Sequence, residues 1–265
     1  MSGLAWHDMG GSGPTFVLVH GYTGSSEDFR SVIEPLRSVR RIVLVDQLGH
    51  GDSPRAARYT FDGLSRSVIE FLLTEIGEPV DILGHSMGGR TVLPIAVHHG
   101  QLVRSLVLMD TWGDNPDRDE RSAELESLFA QSDDAVATAL ESGALDVGHN
   151  PEHELHVDEW SEEWVDQRLA HNSDRLDPRA RVQLGRLVFC EGPSVLAEAS
   201  RISAPTTVLV GEFDDPFIGP SQRLTDHIPN ARQVVIPGAY HSPQLSHPTV
   251  WAEALLDHLA IVDAG

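Results

Sequence analysis

The chain contains no lysine. All 19 of its basic residues are arginine, so Schiff-base chemistry, Ser–Lys dyads and the phosphate-loop lysine are all excluded. Positive charge is scarce in general: 40 acidic residues outnumber the arginines and leave a formal charge of −21. Nucleic acids and anionic lipids are held mainly by basic side chains, so neither is expected as a partner. Cysteine occurs once, at Cys190; an internal disulfide is impossible and no CxxC pair exists for zinc or redox work. Long apolar runs are also missing. Ile42–Val45 and Leu106–Met109 are far too short to cross a bilayer, and residues 1–13 lack the charged-then-apolar pattern of a secretory signal. A soluble, cytoplasmic protein is expected, with monomer and homodimer both open.

What is present is ordinary globular material. The 265 residues are 40% hydrophobic and 22% charged, enough to bury a full core. Short, nearly all-apolar runs at Phe16–Val19, Ile42–Asp46, Val80–Leu83, Ser105–Asp110, Thr206–Val210 and Gln233–Ile236 suit strands covered on both faces of a parallel sheet. Between them, Phe61–Gly77, Met87–His99, Ser221–Ile228 and Pro248–Leu259 repeat their apolar positions near 3.6 residues. This alternation predicts an α/β fold with right-handed crossovers and a doubly wound, mostly parallel sheet.

The rhythm breaks from Gly113 to Asp177. That stretch offers no strand, several amphipathic helices, and 19 acidic residues against four arginines. It reads as a helical cap inserted after the strand ending near Asp110. The expected division is a core of residues 1–112 and 201–265 with a cap of residues 113–200, whose far boundary lies between 178 and 200.

The chemistry starts at Gly84-His85-Ser86-Met87-Gly88, a G-x-S-x-G nucleophile elbow between a strand and a helix. Its glycines clear the tightest part of the turn and expose the Ser86 hydroxyl, while the following helix directs its N–H groups and positive end at the reaction centre. A serine hydroxyl needs a base, and the base needs an orienting acid. Both should lie in loops at the carboxyl ends of later strands. Gly238-Ala239-Tyr240-His241 supplies His241 as the base. Gly211-Glu212-Phe213-Asp214-Asp215-Pro216 supplies Asp214 as the favoured acid, with Asp215 and Asp110 as alternatives. The backbone amides of Tyr22, in His20-Gly21-Tyr22-Thr23-Gly24, and of Met87 are candidates for an oxyanion hole, and His20 is read as a brace for that loop.

With these motifs in place, the chain resembles the α/β-hydrolase superfamily in its serine-nucleophile branch, over nearly all of its length outside Gly113–Ser200. Asp46-Gln47-Leu48-Gly49-His50-Gly51-Asp52-Ser53 is similar to a structural turn of that family, so Asp46, His50 and Asp52 receive no catalytic role. The resemblance implies a Ser86–His241–Asp214 triad, no cofactor and a variable cap over the site. Serine at position 86 excludes the aspartate-nucleophile haloalkane dehalogenases and epoxide hydrolases; the lack of lysine disfavours hydroxynitrile lyases. Carboxylesterases, lactonases, carbon–carbon bond hydrolases and cofactor-free perhydrolases remain. So does the menaquinone-pathway synthase of succinyl-hydroxycyclohexadiene carboxylate, which Ser86-Met87-Gly88-Gly89-Arg90 and Tyr22-Thr23-Gly24-Ser25 also resemble. There Arg90 would hold an anionic substrate, but the cap stretch Gly113–Asp177, carrying net −15 from 19 acids and four arginines, favours a neutral ester or lactone. Trp112, Trp160 and Trp164 are candidate pocket residues. A ligand-binding receptor that retains the triad is the reading from another class. His149, His153 and His156 with Glu152, Glu154 and Asp158 could be drawn as a metal site, but an acidic solvated loop explains them and no metal is expected.

Overall fold

The computed structural model describes residues 3–115, 117, 120–142, 160–190, 192 and 194–265. Seven strands form one sheet: β1 (Trp6–Gly11), β2 (Thr15–Val19), β3 (Arg41–Val45), β4 (Val80–His85), β5 (Val103–Met109), β6 (Thr206–Gly211) and β7 (Ala231–Ile236). Their spatial order is β1-β3-β2-β4-β5-β6-β7. All neighbours are parallel except β1, which runs antiparallel to β3 along the edge. The six runs read as strands in the sequence are the six parallel ones. β1 is an addition, a half-exposed segment ending in two glycines and bulged between Asp8 and Gly11. An edge strand needs no apolar run, so it leaves little pattern to read.

Helices cover both faces. They are α1 (Glu27–Arg30), α2 (Phe61–Phe71), α3 (Met87–His98), α4 (Glu120–Phe129), α5 (Asp133–Glu141), α6 (Glu162–Arg175), α7 (Pro178–Phe189), α8 (Asp215–His227), α9 (Pro243–Ser246) and α10 (Pro248–Ala264). Local chemistry sets their ends. The side chains of Thr60, Ser161 and Asp177 accept from the backbone N–H groups of Gly63, Trp164 and Arg179 at 3.0, 3.2 and 3.0 Å, which satisfies orphan donors of the first turns. A π turn at Leu72–Ile76 prolongs α2 to Gly77, whose φ of 75° ends it. Helix α8 starts at Asp215, six residues before the expected Ser221. Pro216 and Pro220 hide that start in the sequence, yet Pro216 in the first turn loses no helical hydrogen bond, and the Pro216 carbonyl that Pro220 cannot reach with an N–H accepts that of Asp117 at 2.9 Å.

Two apolar layers sandwich the sheet. One gathers Val17, Val19, Val43, Val45, Ile82 and Leu106 against Val68, Val92 and Leu224; the other joins Phe16, Leu18, Leu44, Leu83 and Val107 to Phe29, Trp251 and Leu255. Each such aliphatic side chain contributes about 1.5–3 kcal/mol on burial. At the amino ends of the strands, fully buried Asp81 accepts from Arg40 at 2.6 Å, Arg104 at 2.8 Å and the Ser105 hydroxyl at 2.7 Å. Arg40 continues to Asp263 on α10 at 2.8 Å. Between β5 and β6 the described residues hold helices α4 to α7 and no strand. No helix among the described residues is long and apolar enough to cross a membrane.

Candidate active site

The loops after β2, β4, β5, β6 and β7 converge at the carboxyl edge of the sheet. Ser86, between β4 and α3, has φ 51° and ψ −117°, a strained conformation for a residue with a side chain. Its neighbours explain how it fits. A β-carbon at Gly84 would stand 2.5 Å from the Gly88 carbonyl oxygen, and one at Gly88 would overlap the carbonyl oxygen of Val19. The turn is fixed by Ser86 N–H donating to the Met109 carbonyl at 2.8 Å and the Thr111 hydroxyl donating to the Ser86 carbonyl at 2.7 Å.

His241 approaches with Nε2 2.9 Å from Ser86 Oγ, and its Nδ1 lies 2.8 Å from Asp214 Oδ2. A carboxylate only accepts, so Nδ1 carries the proton and Nε2 is free to accept from the serine hydroxyl. Phe217 lays its ring 4.6 Å from that of His241, centroid to centroid. The structure thus brings together Ser86, His241 and Asp214. Asp215 begins α8 instead. Asp110 is fully buried at φ 47° and takes the Gly211 N–H at 2.8 Å; one oxygen of it, one of Asp214 and one His241 nitrogen lie within 4.8 Å of each other.

The loop after β2 is braced by His20, whose Nε2 accepts the Gln47 N–H at 3.0 Å, while Gln47 Nε2 donates to the His20 carbonyl at 2.7 Å. Within that loop Tyr22 turns its hydroxyl to the Arg181 carbonyl of α7 at 2.5 Å. Met87 opens α3, and the N–H of a first helical residue has no partner inside the helix. Tyr22, Met87, Phe61, Trp112, Leu184 and Phe217 belong to one apolar cluster. Arg90 is built into the same wall: its guanidinium lies 5.1 Å from the Phe61 ring centre and 5.9 Å from that of Trp112, and donates to the Gly113 carbonyl at 3.2 Å. Burial, opposed by the Asp114 charge, lowers it to about 10. Trp160 and Trp164 stack on each other at 4.4 Å elsewhere, with Trp160 Nε1 donating to the Leu245 carbonyl at 2.8 Å and its ring packed on the Phe29–Trp251 layer.

Two neighbours of the base escaped the sequence reading. Phe217 sits in a segment where prolines obscure the helix. His85 was visible inside the pentapeptide, but only the fold shows its Nε2 2.7 Å from the His241 carbonyl. The His149, His153 and His156 group lies outside the described residues. Among those described, His7, Asp46 and Asp52 also come within 4.8 Å, but Asp46 already accepts the N–H groups of Ser26 and Asp52 at 2.8 and 2.9 Å, in keeping with a structural turn.

Comparison with known proteins follows the same lines. The sequence model of the alpha/beta hydrolase fold matches residues 14–248. A pimeloyl-[acyl-carrier protein] methyl ester esterase of Chromobacterium violaceum is 30% identical over 257 residues, covering 94% of this chain and 95% of the relative. A putative carbamate hydrolase RutD of Stutzerimonas stutzeri is 27% identical over 93% of this chain and 92% of its own. In three dimensions, MenH from S. aureus superposes with a TM-score of 0.78 at 21% identity, over 99% of this chain and 100% of that one.

Proposed function

The chain belongs to the alpha/beta hydrolase family and has hydrolase, esterase-type relatives, and from that footing we propose that it is a carboxylesterase-like serine hydrolase acting on a small neutral ester or lactone. The observation that carries this reading is the relay Asp214–His241–Ser86, with contacts of 2.8 and 2.9 Å, ending on a serine held at a strained φ of 51°. Strain of that kind stabilises nothing by itself and is expected where geometry serves chemistry.

In this mechanism Ser86 Oγ attacks the carbonyl carbon as its proton passes to His241 Nε2. Asp214 keeps Nδ1 protonated and stabilises the imidazolium. The carbonyl oxygen becomes an anion and is received by the N–H groups of Tyr22 and Met87, each contributing about 3–4 kcal/mol to the transition state, with the positive end of α3 adding to the field. His241 then protonates the leaving alcohol. The acyl group remains on Ser86 until a water, deprotonated by His241, releases the acid and restores the serine.

Helices α4 to α7 act as the cap, residues 113–200 forming a substrate-selecting unit on the core of residues 1–112 and 201–265. Trp112, Met87 and Leu184 would face the acyl group; Arg90, engaged with Gly113 and two aromatic faces, supports an apolar rather than an anion-binding wall. The net charge of −21 supports neutral substrates over anionic ones and speaks against nucleic acid and anionic lipid as partners.

The test is turnover of p-nitrophenyl esters from acetate to dodecanoate by wild type and Ser86→Ala. Many turnovers lost by at least about 10⁴-fold in the variant support the proposal. One equivalent of product and no more would favour a receptor that keeps the triad. Equal rates in both proteins would overturn the reading.

A further inference from the structure

Asp28 is a buried carboxylate that the mechanism does not use. It lies in α1, immediately after the loop that carries the Tyr22 amide, and its two oxygens serve two different parts of the fold. Oδ2 accepts the N–H of Ser25, in that loop, at 3.2 Å. Oδ1 accepts from Arg168 Nη1 at 2.6 Å and Asn172 Nδ2 at 3.0 Å, both on α6. Asn172 closes the figure by accepting the Ser25 hydroxyl at 2.5 Å through its own Oδ1. The loop is pressed onto this cluster: a β-carbon at Gly24 would overlap Asp28 Oδ2. A second tie runs from the Tyr22 hydroxyl to the Arg181 carbonyl on α7.

A buried ion pair is an expensive way to hold two surfaces together, because an apolar pair of the same volume is often as stable or more so. What the charged contact gives, with Asn172 donating to the same carboxylate oxygen, is fixed direction and distance. Here the fixed object is the segment Tyr22–Ser25, one residue of which offers an oxyanion donor. Placement to within about 0.5 Å matters for such a donor, and a 1 Å displacement can cost about 10²-fold.

We propose that Asp28, Arg168 and Asn172 are positioning residues of the oxyanion hole, locking the Tyr22–Ser25 loop to cap helix α6 so that the donor is aligned only while the cap is seated. The inference rests on the serine-hydrolase reading above.

The experiment compares wild type, Arg168→Met, Arg168→Lys and Tyr22→Phe on p-nitrophenyl acetate, which is too small to need the cap, and measures binding of phenylboronic acid, whose tetrahedral adduct on serine needs the oxyanion donors. Arg168→Met is expected to lose about 10–100-fold in kcat on acetate with KM within about threefold, and to bind the boronate more weakly by a similar factor. Arg168→Lys should recover part of both. Arg168→Met leaves a buried charge and can fail to fold; Tyr22→Phe removes only a hydroxyl, and should lose about 3–10-fold in both readouts. Unchanged acetate kcat and boronate affinity in folded variants, with effects confined to KM for long esters, would overturn the proposal and make α6 a pocket wall only. A wild type that neither turns over esters nor binds boronate overturns the serine-hydrolase reading itself, and this inference with it.

Discussion

His85 donates from Nε2 to the backbone carbonyl of His241 across 2.7 Å, so the residue before the nucleophile holds the loop that carries the base. The imidazole is kept neutral, pushed down to about 3 by burial and secondarily by the neighbouring His241. Its ring lies 5.1 Å from that of His241. A donor there steadies the base without adding charge beside the imidazolium that forms during catalysis. His85→Phe is expected to lower kcat about tenfold, and His85→Gln, which can still donate, should recover most of it. The pH–rate profiles of wild type and His85→Gln should share one acid limb; a second ionisation lost in the variant would show that His85 titrates in the working range.

Asp214 and Asp110 are separable by charge removal. Asp214→Asn should cost about 10³–10⁴ in kcat, because an amide can hold His241 in the wrong tautomer. Asp110→Asn keeps an oxygen for the Gly211 N–H, and asparagine tolerates the positive φ of 47° at that position. It should therefore cost less than about tenfold. The reverse order of these two losses would exchange the roles of the carboxylates.

Gly88 has no room for a methyl group, since a β-carbon would overlap the carbonyl oxygen of Val19 and lie 2.6 Å from that of His20. Both are backbone atoms, one at the end of central strand β2 and one in the braced loop that follows it, and neither can move aside. Gly88→Ala should cost about 3 kcal/mol or more, lowering Tm by roughly 6–12 °C. A melting temperature within a degree or two of wild type would mean that the elbow is far softer than its packing implies.

Acid should unfold the protein earlier than its carboxylates alone require. Burial pushes His258 down to about 4, with Nδ1 and Nε2 engaged by Thr207 and Ser105 at 2.9 and 3.0 Å; burial likewise pushes His50 down to about 3. An unfolded histidine titrates near 6.5, so below that pH the unfolded chain binds more protons and stability falls as pH drops towards the folded values. His258 alone accounts for about 2 kcal/mol lost between pH 7.5 and 5. Urea unfolding at those two pH values should show a shallower loss in His258→Gln than in wild type.

The inner parallel strands could be read from the sequence because they are buried on both faces and therefore nearly unbroken in their apolar runs, as at Thr15–Val19, whereas the half-buried edge strand β7 showed only in its Val234–Ile236 run. The nucleophile, acid and base were legible for a different reason: tight turns demand particular glycines, and chain order does the rest. Other features left no local mark. The Asp28–Arg168 pair joins positions 140 residues apart, and nothing at either position distinguishes it from a solvated charge. The three cap-region tryptophans looked alike in the sequence, yet Trp112 joins the Met87 cluster while Trp160 docks on Leu245. Packing partners chosen at long range, rather than any local preference, decide such cases.

The placement of α4 to α7 between β5 and β6 also governs how the molecule can be made. Met109 of β5 pairs with Leu209 of β6, 100 positions further on. At about 5–20 residues per second, a nascent chain would carry β5, with Leu106, Val107 and Leu108 already in sequence, as an open edge for about 5–20 s before its partner is synthesised. That interval is long beside hairpin or helix formation. An unpaired apolar edge invites pairing with another chain. Yield on expression should therefore depend on elongation rate through residues 113–205 and on holding chaperones, even for variants whose finished fold is as stable as the wild type.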